Sequence, residues 1–323
     1  MRAPAPAETI PVIVTGIELV TPLIKLFTLR SLDGRDLPAF SGGCHIVVIM
    51  PCEGRTYRNP YSLLSSPWDL SSYQIAVRRH ENGRGGSLYL HDRVQVGSQL
   101  RVAHPINLFP LAKLARNHIL IGGGIGITPM MAMVEDLKAG HVPFEVHYSA
   151  RDPEHAYFGL RLQRQLQDRV TQYLSSRGER IDFDKILSGQ LLGTHVYVCG
   201  PAGLLEGAVR TARQAGWTDS HIHFEKFSAP PVGEPFDVYL AESRLAVQVP
   251  AGMSLLEAIE AAGVDAPYLC RGGACGKCET EVLELEGKLL HHDNWLSDED
   301  KASNKKIMPC VSRASCTRLV LKR

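Results

Sequence analysis

Short apolar runs dominate the first third of the chain. They include IPVIVTGIELV, CHIVVIM and YQIAVRR, and they are separated by turn signals such as LDGRD, PCEG and ENGRGG. Strand-length runs broken by turns at this spacing are typical of a small antiparallel barrel. The pattern therefore predicts an antiparallel β-barrel domain over residues 1–112.

The pattern changes from residue 113 onward, where apolar strands alternate with helical periods. HILIGGG precedes TPMMAMVEDLKAG, and HVYVCG precedes PAGLLEGAVRTARQAG. This alternation predicts an α/β domain with a parallel sheet over residues 113–228. The proline-rich stretch SAPPVGEP predicts a linker at 229–235, which is followed by a final domain with strands and a helix over 236–323. The chain is therefore expected to be multidomain.

Composition and charge exclude several classes of function. Hydrophobic residues make up 44% and charged residues 21% of the chain, as in an ordinary globular protein. The 35 Lys and Arg residues stand against 34 Asp and Glu residues, so there is no basic excess for a nucleic-acid partner. No apolar run reaches the roughly 18 residues of a bilayer span, and the start of the chain lacks a signal-peptide core. We expect a cytoplasmic protein without a membrane partner.

Four of the eight cysteines crowd the C-terminal part of the chain. Cys270, Cys275 and Cys278 have C-x4-C-x2-C spacing and are followed by Cys310. This is the plant-type spacing of a 2Fe-2S cluster held by four thiolates, and the intervening glycines let the loop wrap closely. The alternative is a structural zinc site, which more usually has two C-x2-C pairs or Cys/His pairs. The spacing predicts that these four cysteines are cluster ligands.

A glycine-rich run, GGGIGITP, lies between a predicted strand and a predicted helix at 122–129. Glycines at such a junction allow the backbone to approach a pyrophosphate, although a tight strand-to-helix turn explains the run equally well. The CGP sequence at 199–201 follows a later strand, at the edge where parallel sheets bind ligands, and supports the nucleotide interpretation. The candidate nucleotide-binding residues are Gly123, Gly124, Gly126, Thr128, Cys199, Gly200 and Pro201.

Two segments at strand ends in the predicted barrel suit a flavin. RNPYSL begins at Arg58, and GRGGS occupies 83–87. Tyr61 can pack on the flavin ring, while Arg84, Ser87 and the amides of Gly85 and Gly86 can hold a phosphate. Each segment alone is also explained as a turn. Their combination in one predicted domain favours a flavin site.

The whole set of motifs resembles the phthalate dioxygenase reductase family. The matching segments are LDGRDLPAF, YSLLSSP, GRGGS, PINLFPL, GGGIGITPM, VYVCGP, HFEKF, the C-x4-C-x2-C run and MPCVSRA. The resemblance implies an FMN-binding β-barrel domain, a ferredoxin-reductase-like NAD-binding α/β domain, and a β-grasp plant-type ferredoxin domain. It covers nearly the whole chain.

The resemblance also implies roles for individual residues. Tyr61, Ser62, Arg84 and Ser87 bind FMN, Thr128 and Cys199 face the nicotinamide, and Phe227 packs near the flavin. Ser62, Thr128 and Cys199 are the candidate catalytic residues. Glu225 is a further candidate for a hydrogen bond near the flavin, with an ordinary surface carboxylate as the alternative.

One segment departs from the family pattern. The family usually has R-x-Y-S, whereas here Asn59 stands two positions before Tyr61, and Arg58 stands three before it. Arg58 is retained as a candidate flavin contact. The departing sequence, N-x-Y-S-L-L-S-S-P after F-S-G-G-x-H, is similar to the reductases of carnitine monooxygenases.

The function implied by the resemblance is electron transfer from NADH through FMN and a 2Fe-2S cluster to a Rieske-type oxygenase or demethylase. The partner is a separate terminal oxygenase, and the free reductase is expected to be a monomer. One alternative is an FAD-dependent reductase with a C-terminal ferredoxin that serves a di-iron oxygenase or a hybrid-cluster protein. Another is a metal-bound scaffold with a degenerate nucleotide site.

Two finer expectations concern the coenzyme and the acceptor. The resemblance favours NADH, although Ser175, Ser176, Arg177 and Arg180 are residues that can pair with a 2′-phosphate. The cluster loop is expected to expose Arg271 and Lys277 as part of a docking surface for the oxygenase.

Overall fold

The structure is a computed structural model that describes residues 9–52, 55–227 and 231–323. Within these ranges the strands form three sheets, one after another along the chain. Residues 229 and 230 of the predicted linker, and residue 228 before it, lie outside the described residues. In the described ranges, no helix combines the length and apolar character needed to cross a bilayer.

The first sheet is antiparallel. In the described part of this region it contains seven strands: β1 (Thr9–Thr21), β2 (Ile24–Ser31), β3 (Cys44–Cys52), β4 (Arg55–Ser62), β5 (Tyr73–Arg78), β6 (Gln99–Ala103) and β7 (Ile106–Asn107). The strand order is β4-β3-β6-β1-β2-β5, and β7 pairs with β3. The outermost strands β4 and β5 also contact each other, as closure into the predicted barrel requires.

The interior of this first sheet is filled by alternate side chains. Phe27 and Leu29 on β2, Val48 on β3, Ile75 on β5 and Val102 on β6 are all fully buried. Such alternation places every second side chain on the inner face of a strand. Helix α1 (Gly86–Asp92) follows β5 and buries Leu90 against the same core.

The second sheet is parallel, as the alternation of strands and helices predicts. Its strands are β8 (Asn117–Gly123), β9 (Phe144–Ala150), β10 (Val170–Leu174), β11 (Thr194–Cys199) and β12 (Ile222–Glu225), in the order β10-β9-β8-β11-β12. The helices are α2 (Thr128–Ala139), α3 (Tyr157–Leu166), α4 (Phe183–Leu187) and α5 (Ala202–Gln214). Short 3-10 turns lie at Gly124–Ile127, Pro153–His155, Gln167–Arg169, Ser175–Arg177 and Asp219–His221.

The strand order places β8 and β11 side by side in the middle of the parallel sheet. Cys199, the last residue of β11, is in register with Gly122 near the end of β8. Because parallel strands end at the same edge, the glycine-rich turn after β8 and the turn after β11 meet there. The strand order thus brings two predicted nucleotide-binding segments to the same edge of the parallel sheet.

The third sheet combines antiparallel and parallel pairs. It contains β13 (Phe236–Leu240), β14 (Leu245–Val249), β15 (Thr280–Leu290), β16 (Lys306–Ile307) and β17 (Arg313–Leu321), in the order β14-β13-β17-β15-β16. Strands β13 and β17 are parallel, and the other pairs are antiparallel. Helix α6 (Leu255–Ala261) buries Leu255, Leu256 and Ile259 in the core of this domain, and α7 (Asp298–Ser303) lies at its surface. The three sheets confirm the predicted multidomain fold class.

Candidate functional site

A cavity of about 470 Å³ lies where the three sheets come together. Its wall includes Tyr61 and Ser62 from the antiparallel sheet, Thr128 from the parallel sheet, and Cys270 from the cysteine loop of the third. This volume is within the range of small-molecule and cofactor sites. A single cavity thus brings together predicted residues from three parts of the chain.

Strand β4 supplies the predicted flavin residues Arg58, Tyr61 and Ser62, and all three line the cavity. The Tyr61 hydroxyl accepts a hydrogen bond of 3.2 Å from the side-chain amide of Asn59. Burial raises the pKa of Tyr61 to about 12, so its hydroxyl keeps its proton at neutral pH. Asn59, which departs from the family pattern, therefore orients the aromatic ring that the sequence predicts to contact the flavin.

The predicted phosphate turn lies between β5 and α1. Arg84, Gly86 and Ser87 line the cavity, and Gly85 adopts the left-handed conformation with φ of 106°. A β-carbon on Gly85 would lie 2.7 Å from the Tyr57 hydroxyl, so glycine is required on both conformational and steric grounds. The backbone N–H of His80 donates to the Ser87 hydroxyl at 3.2 Å, which ties the turn to the end of β5.

The two turns at the edge of the parallel sheet pack tightly against each other. A β-carbon on Gly123 would lie 2.8 Å from Pro201 Cδ, and one on Gly200 would lie 3.0 Å from the Cα of Gly123. Gly123, Gly124, Gly126, Gly200 and Pro201 lie beside the cavity rather than in its wall. Thr128, by contrast, lines the cavity, and its hydroxyl donates to the Ile125 carbonyl at 2.9 Å.

Cys199 lies behind the cavity wall. Its side chain is fully buried in the core that includes Leu120 and Tyr197, and it is not among the lining residues. Burial, and then the charge of Glu225, raise the pKa of the Cys199 thiol well above its usual value. Cys199 is therefore a neutral thiol in this structure, and its contact with the nicotinamide stays a prediction.

Glu225, at the end of β12, lines the cavity directly. Burial, and then the charge of Cys270, raise its carboxyl pKa to about 7. The group can therefore hold or release a proton close to neutral pH. Phe227, two residues further on, also lines the cavity and is half-exposed, and its packing near the flavin stays a prediction.

The four predicted cluster ligands come together as two pairs of thiols. The thiol of Cys275 lies beside that of Cys270, and the thiol of Cys310 lies beside that of Cys278. These neighbouring thiols are the largest cause of the lowered pKa values of Cys270 and Cys278. The N–H groups of Gly272 and Ala274 also donate to the Cys270 sulfur, each at 3.4 Å.

Two thiol pairs fit a dinuclear cluster better than a single metal ion. A 2Fe-2S cluster needs four thiolates shared between two irons, whereas a structural zinc site needs four ligands around one ion. The pairing of the sulfurs and the amides aimed at Cys270 therefore fit the predicted cluster.

The position of Arg271 differs from the one expected from the sequence. It was expected to be exposed for docking, but it is only 6% exposed and lines the cavity. Its guanidinium pairs with Glu260 and lies 3.7 Å from the centre of the Tyr268 ring. Lys277 is exposed, as expected.

Several buried polar atoms in the cavity wall lack a protein partner. They are both ring nitrogens of His45, Oε2 of Glu225 and Nε of Arg271. Unsatisfied buried groups are costly, and a polar cofactor would supply partners for them. Burial lowers the pKa of His45 to about 4, so its ring is neutral and offers one donor and one acceptor. The cavity thus fits a flavin with its many ring heteroatoms.

Only some of the polar residues in the cavity wall were recognised from the sequence. The F-S-G-G-x-H motif ends at His45, but no role for this residue followed from the sequence, and Arg271 was expected at the surface. Glu225 was a candidate. The pairing of β3 with β4 explains His45, because His45 is directly opposite Ser62 in the register.

Comparisons with known proteins agree with this site. The profile described as "2Fe-2S iron-sulfur cluster binding domain" matches residues 238–315, and that described as "Dimethylamine monooxygenase subunit DmmA-like, N-terminal domain" matches residues 105–222. A carnitine monooxygenase reductase subunit of Acinetobacter baumannii is 43% identical over 97% of this chain and 98% of its own length. The beta subunit of a heme-dependent oxidative N-demethylase of Ectopseudomonas mendocina is 44% identical over 95% of this chain and 97% of its own.

The solved structure of phthalate dioxygenase reductase superposes with a TM-score of 0.87. It is 33% identical and covers 98% of this chain and 98% of that chain. The chain belongs to the phthalate dioxygenase reductase family. It is an electron-transfer oxidoreductase, a reductase subunit with a 2Fe-2S domain that serves an oxygenase component.

The cofactors of this reductase are FMN, NADH and a 2Fe-2S cluster. The predicted family, fold class, function and cofactors are thereby confirmed. The FAD-dependent alternative and the scaffold without redox activity are not supported. The individual cofactor contacts remain predictions, and the cavity places most of them around one volume.

Proposed function

We propose that electrons enter this reductase at Thr128 and Glu225, cross the shared cavity, and leave through the cysteine loop to the Rieske centre of a separate oxygenase. The observation that carries this proposal is the position of Cys270. This predicted ligand lines the same cavity as Tyr61 and Ser62, so no layer of protein separates the flavin site from the cluster site.

When bound, FMN supplies the conversion of a two-electron hydride donor into single electrons, and the cluster passes these on. The residues of the chain would bind the flavin, orient it and exclude water from the cavity. Tyr61 and Phe227 give the cavity aromatic walls, Arg84 and Ser87 hold the phosphate end, and the neutral ring of His45 orients a polar edge of the ring system. Glu225 places a carboxyl group of raised pKa beside this site, where it can take up or release a proton near neutral pH.

The exit is proposed at the exposed part of the cysteine loop. Ala274 and Lys277 are exposed, and the ring of Trp295 packs against Gly276 while half of its surface remains open. Gly276 has a φ of 73°, and a β-carbon there would lie 2.3 Å from the Trp295 ring. An oxygenase that contacts Lys277 and Trp295 would therefore approach the cluster closely.

The substrate class of the oxygenase is proposed to be an N-methylated amine. Two relatives above 40% identity are named for carnitine monooxygenase and for an oxidative N-demethylase, and one matching profile is named for dimethylamine monooxygenase. All three names refer to oxidation of an N-methylated amine. The potential of a Rieske centre is typically higher than that of a plant-type cluster, so transfer to it would be downhill.

A heme acceptor is a second candidate, because one relative is named as a subunit of a heme-dependent enzyme. The two are separated by mixing the NADH-reduced protein anaerobically with the Rieske component of a carnitine monooxygenase, or with a heme-dependent N-demethylase component, in a stopped-flow instrument. We expect rapid reduction of the Rieske centre. Reduction of the heme alone would overturn the proposal.

Three further properties belong to the same proposal. The free reductase is a monomer, it works in the cytoplasm, and its domains divide at residues 112 and 228 with the linker at 229–235. None of the eight cysteines forms a disulfide, which suits a reducing compartment. Truncation after Lys226 should leave a flavoprotein that oxidises NADH but no longer reduces an oxygenase.

A further inference from the structure

One buried ion pair joins the flavin domain to the ferredoxin domain. Arg84, in the phosphate turn between β5 and α1, donates to Oε2 of Glu257 on the first turn of α6, at 2.5 Å. Their side chains are 13% and 7% exposed. These residues are separated by 173 positions in the chain, so the contact is made only when the two domains dock.

The carboxylate of Glu257 is also held by its own helix. Its Oε2 accepts the backbone N–H of Ser254 at 2.9 Å, and the Ser254 hydroxyl accepts the backbone N–H of Glu257 at 3.2 Å. This reciprocal capping box fixes the side chain against its own helix. A fixed carboxylate loses little conformational entropy on pairing, and removal of one partner of a buried pair leaves the other charge uncompensated.

A second arginine lies near this pair. Arg313, which is 1% exposed, donates to the carbonyls of Met253, Glu234 and Pro250 and so ties the segment before β13 to the ferredoxin domain. Burial, and then the positive charge of Arg84, lower the pKa of Arg313, so the two cations are close enough to repel.

Arg84 belongs to both sites. Its guanidinium pairs with Glu257 of the ferredoxin domain and also lines the flavin cavity. A phosphate bound in the cavity would meet the same guanidinium that Glu257 holds from the ferredoxin side.

We propose that Glu257 is a positioning residue: through Arg84, which it shares with the flavin phosphate, it couples flavin binding to docking of the ferredoxin domain. This inference rests on the proposed roles of the cavity and of Arg84. Because coupling between two binding events is reciprocal, bound FMN tightens the docking of the domain, and docking tightens the binding of FMN.

The test is the variant Glu257→Gln in the full-length protein. Glutamine retains the capping box but removes the charge that pairs with Arg84. The matched control is Glu284→Gln, which neutralises an exposed ion pair with Arg318 inside the ferredoxin domain. Circular dichroism and the iron content of each variant establish that the domains are folded.

The Kd of FMN is measured by fluorescence titration of deflavinated protein, and the radius of gyration by small-angle X-ray scattering with and without FMN. The rate at which NADH reduces the cluster is measured at saturating FMN.

For Glu257→Gln we expect the Kd of FMN to rise at least about fivefold and the FMN-dependent decrease in the radius of gyration to be lost. The cluster should be reduced more slowly, while the rate of flavin reduction should not change. Glu284→Gln should match the unmodified protein in all three.

Unchanged FMN affinity and unchanged compaction in Glu257→Gln would overturn the inference. Failure of the proposed electron route has a different signature, since the unmodified protein would then bind FMN normally but NADH would not reduce its cluster. The affinity and scattering measurements decide the role of Glu257 in either case.

Discussion

Gly126 lies directly against the carbonyl group of Cys199. A β-carbon on Gly126 would be 2.4 Å from the Cys199 oxygen and 2.7 Å from the nitrogen of Gly200. This approach locks the turn after β8 to the turn after β11, and it sets the distance between two segments predicted to bind the nucleotide. Both neighbours are backbone atoms, which cannot rotate away.

Gly126→Ala should therefore separate the two turns. We expect a raised KM for NADH and a loss of about 1–3 kcal/mol in stability, as is typical of overpacking, while FMN remains bound. Steady-state kinetics with ferricyanide as the acceptor and urea denaturation measure the two effects. Gly203→Ala is the control, because a β-carbon there meets open space. Unaltered KM in Gly126→Ala would show that the contact does not shape the nucleotide site.

Cys310→Ser should remove the cluster without affecting the flavin site. Cys310 is the partner of Cys278 in one of the two thiol pairs, and its replacement leaves one iron without a thiolate. We expect iron content to fall and the cluster absorbance to disappear, while NADH still reduces FMN. Cys316→Ser, outside the thiol pairs, should retain both irons. Normal iron content in Cys310→Ser would contradict the ligand assignment.

Lys277→Glu should slow transfer to the oxygenase. Lys277 is exposed on the cysteine loop, and reversal of its charge would oppose an acidic acceptor surface. We expect a rate of roughly one tenth that of the unmodified protein at low ionic strength, with the difference shrinking as salt is added. Ferricyanide reduction should not change. Equal rates with the oxygenase would remove Lys277 from the docking surface.

Acid should destabilise the parallel-sheet domain through a histidine cluster. His195 Nδ1 lies 2.9 Å from His223 Nε2, and the His195 and His221 rings are 4.2 Å apart. Burial, and then the charges of the neighbouring histidines, lower the pKa of His195 from 6.5 to about 4. Below pH 6.5 His195 takes up a proton in the unfolded chain but not yet in the folded one, so the free energy of unfolding decreases as the pH falls from 6.5 to about 4.

The variant His195→Asn tests whether His195 contributes to this loss of stability in acid. Its urea midpoint should fall less between pH 7.5 and pH 5 than that of the unmodified protein, because a titrating member of the cluster is gone. His104→Asn replaces an exposed histidine and should follow the unmodified protein. If His195→Asn loses as much stability as the unmodified protein, His195 does not contribute to the acid lability.

The coenzyme preference is expected to favour NADH. The guanidinium of Arg180 donates to the backbone carbonyls of Ser175 and Glu179, at 3.3 and 3.1 Å, so it closes its own turn. A ratio of kcat/KM for NADH over NADPH well above one is the predicted result. A ratio below one would mean that this turn binds a 2′-phosphate instead.

The sequence predicted features that depend on local spacing. The C-x4-C-x2-C run predicted the ligands because a loop of that length must bring its thiols together, and the alternation of strands and helices predicted the parallel sheet. Gly126 and Gly85 were recognised because turns of this kind require glycine. These features are encoded within a few residues of one another.

The sequence did not reveal features that depend on docking between distant segments. Arg84 was expected to hold a phosphate, but its pairing with Glu257 across 173 positions has no local signal. Arg271 was expected at the surface, since an arginine in a polar loop is usually solvated, but contacts with Glu260 and Tyr268 offset the cost of its burial. The contact of Cys199 with the nicotinamide stays a prediction, since its thiol lies in the core behind the cavity wall.

The most direct test of the electron route is an anaerobic titration of the purified protein with NADH, in which flavin and cluster absorbance are followed together and bound flavin, iron and sulfide are quantified. The account predicts one FMN and two irons per chain, with both chromophores reduced. Reduction of the flavin while the cluster stays oxidised, or the release of FAD in place of FMN, would contradict it.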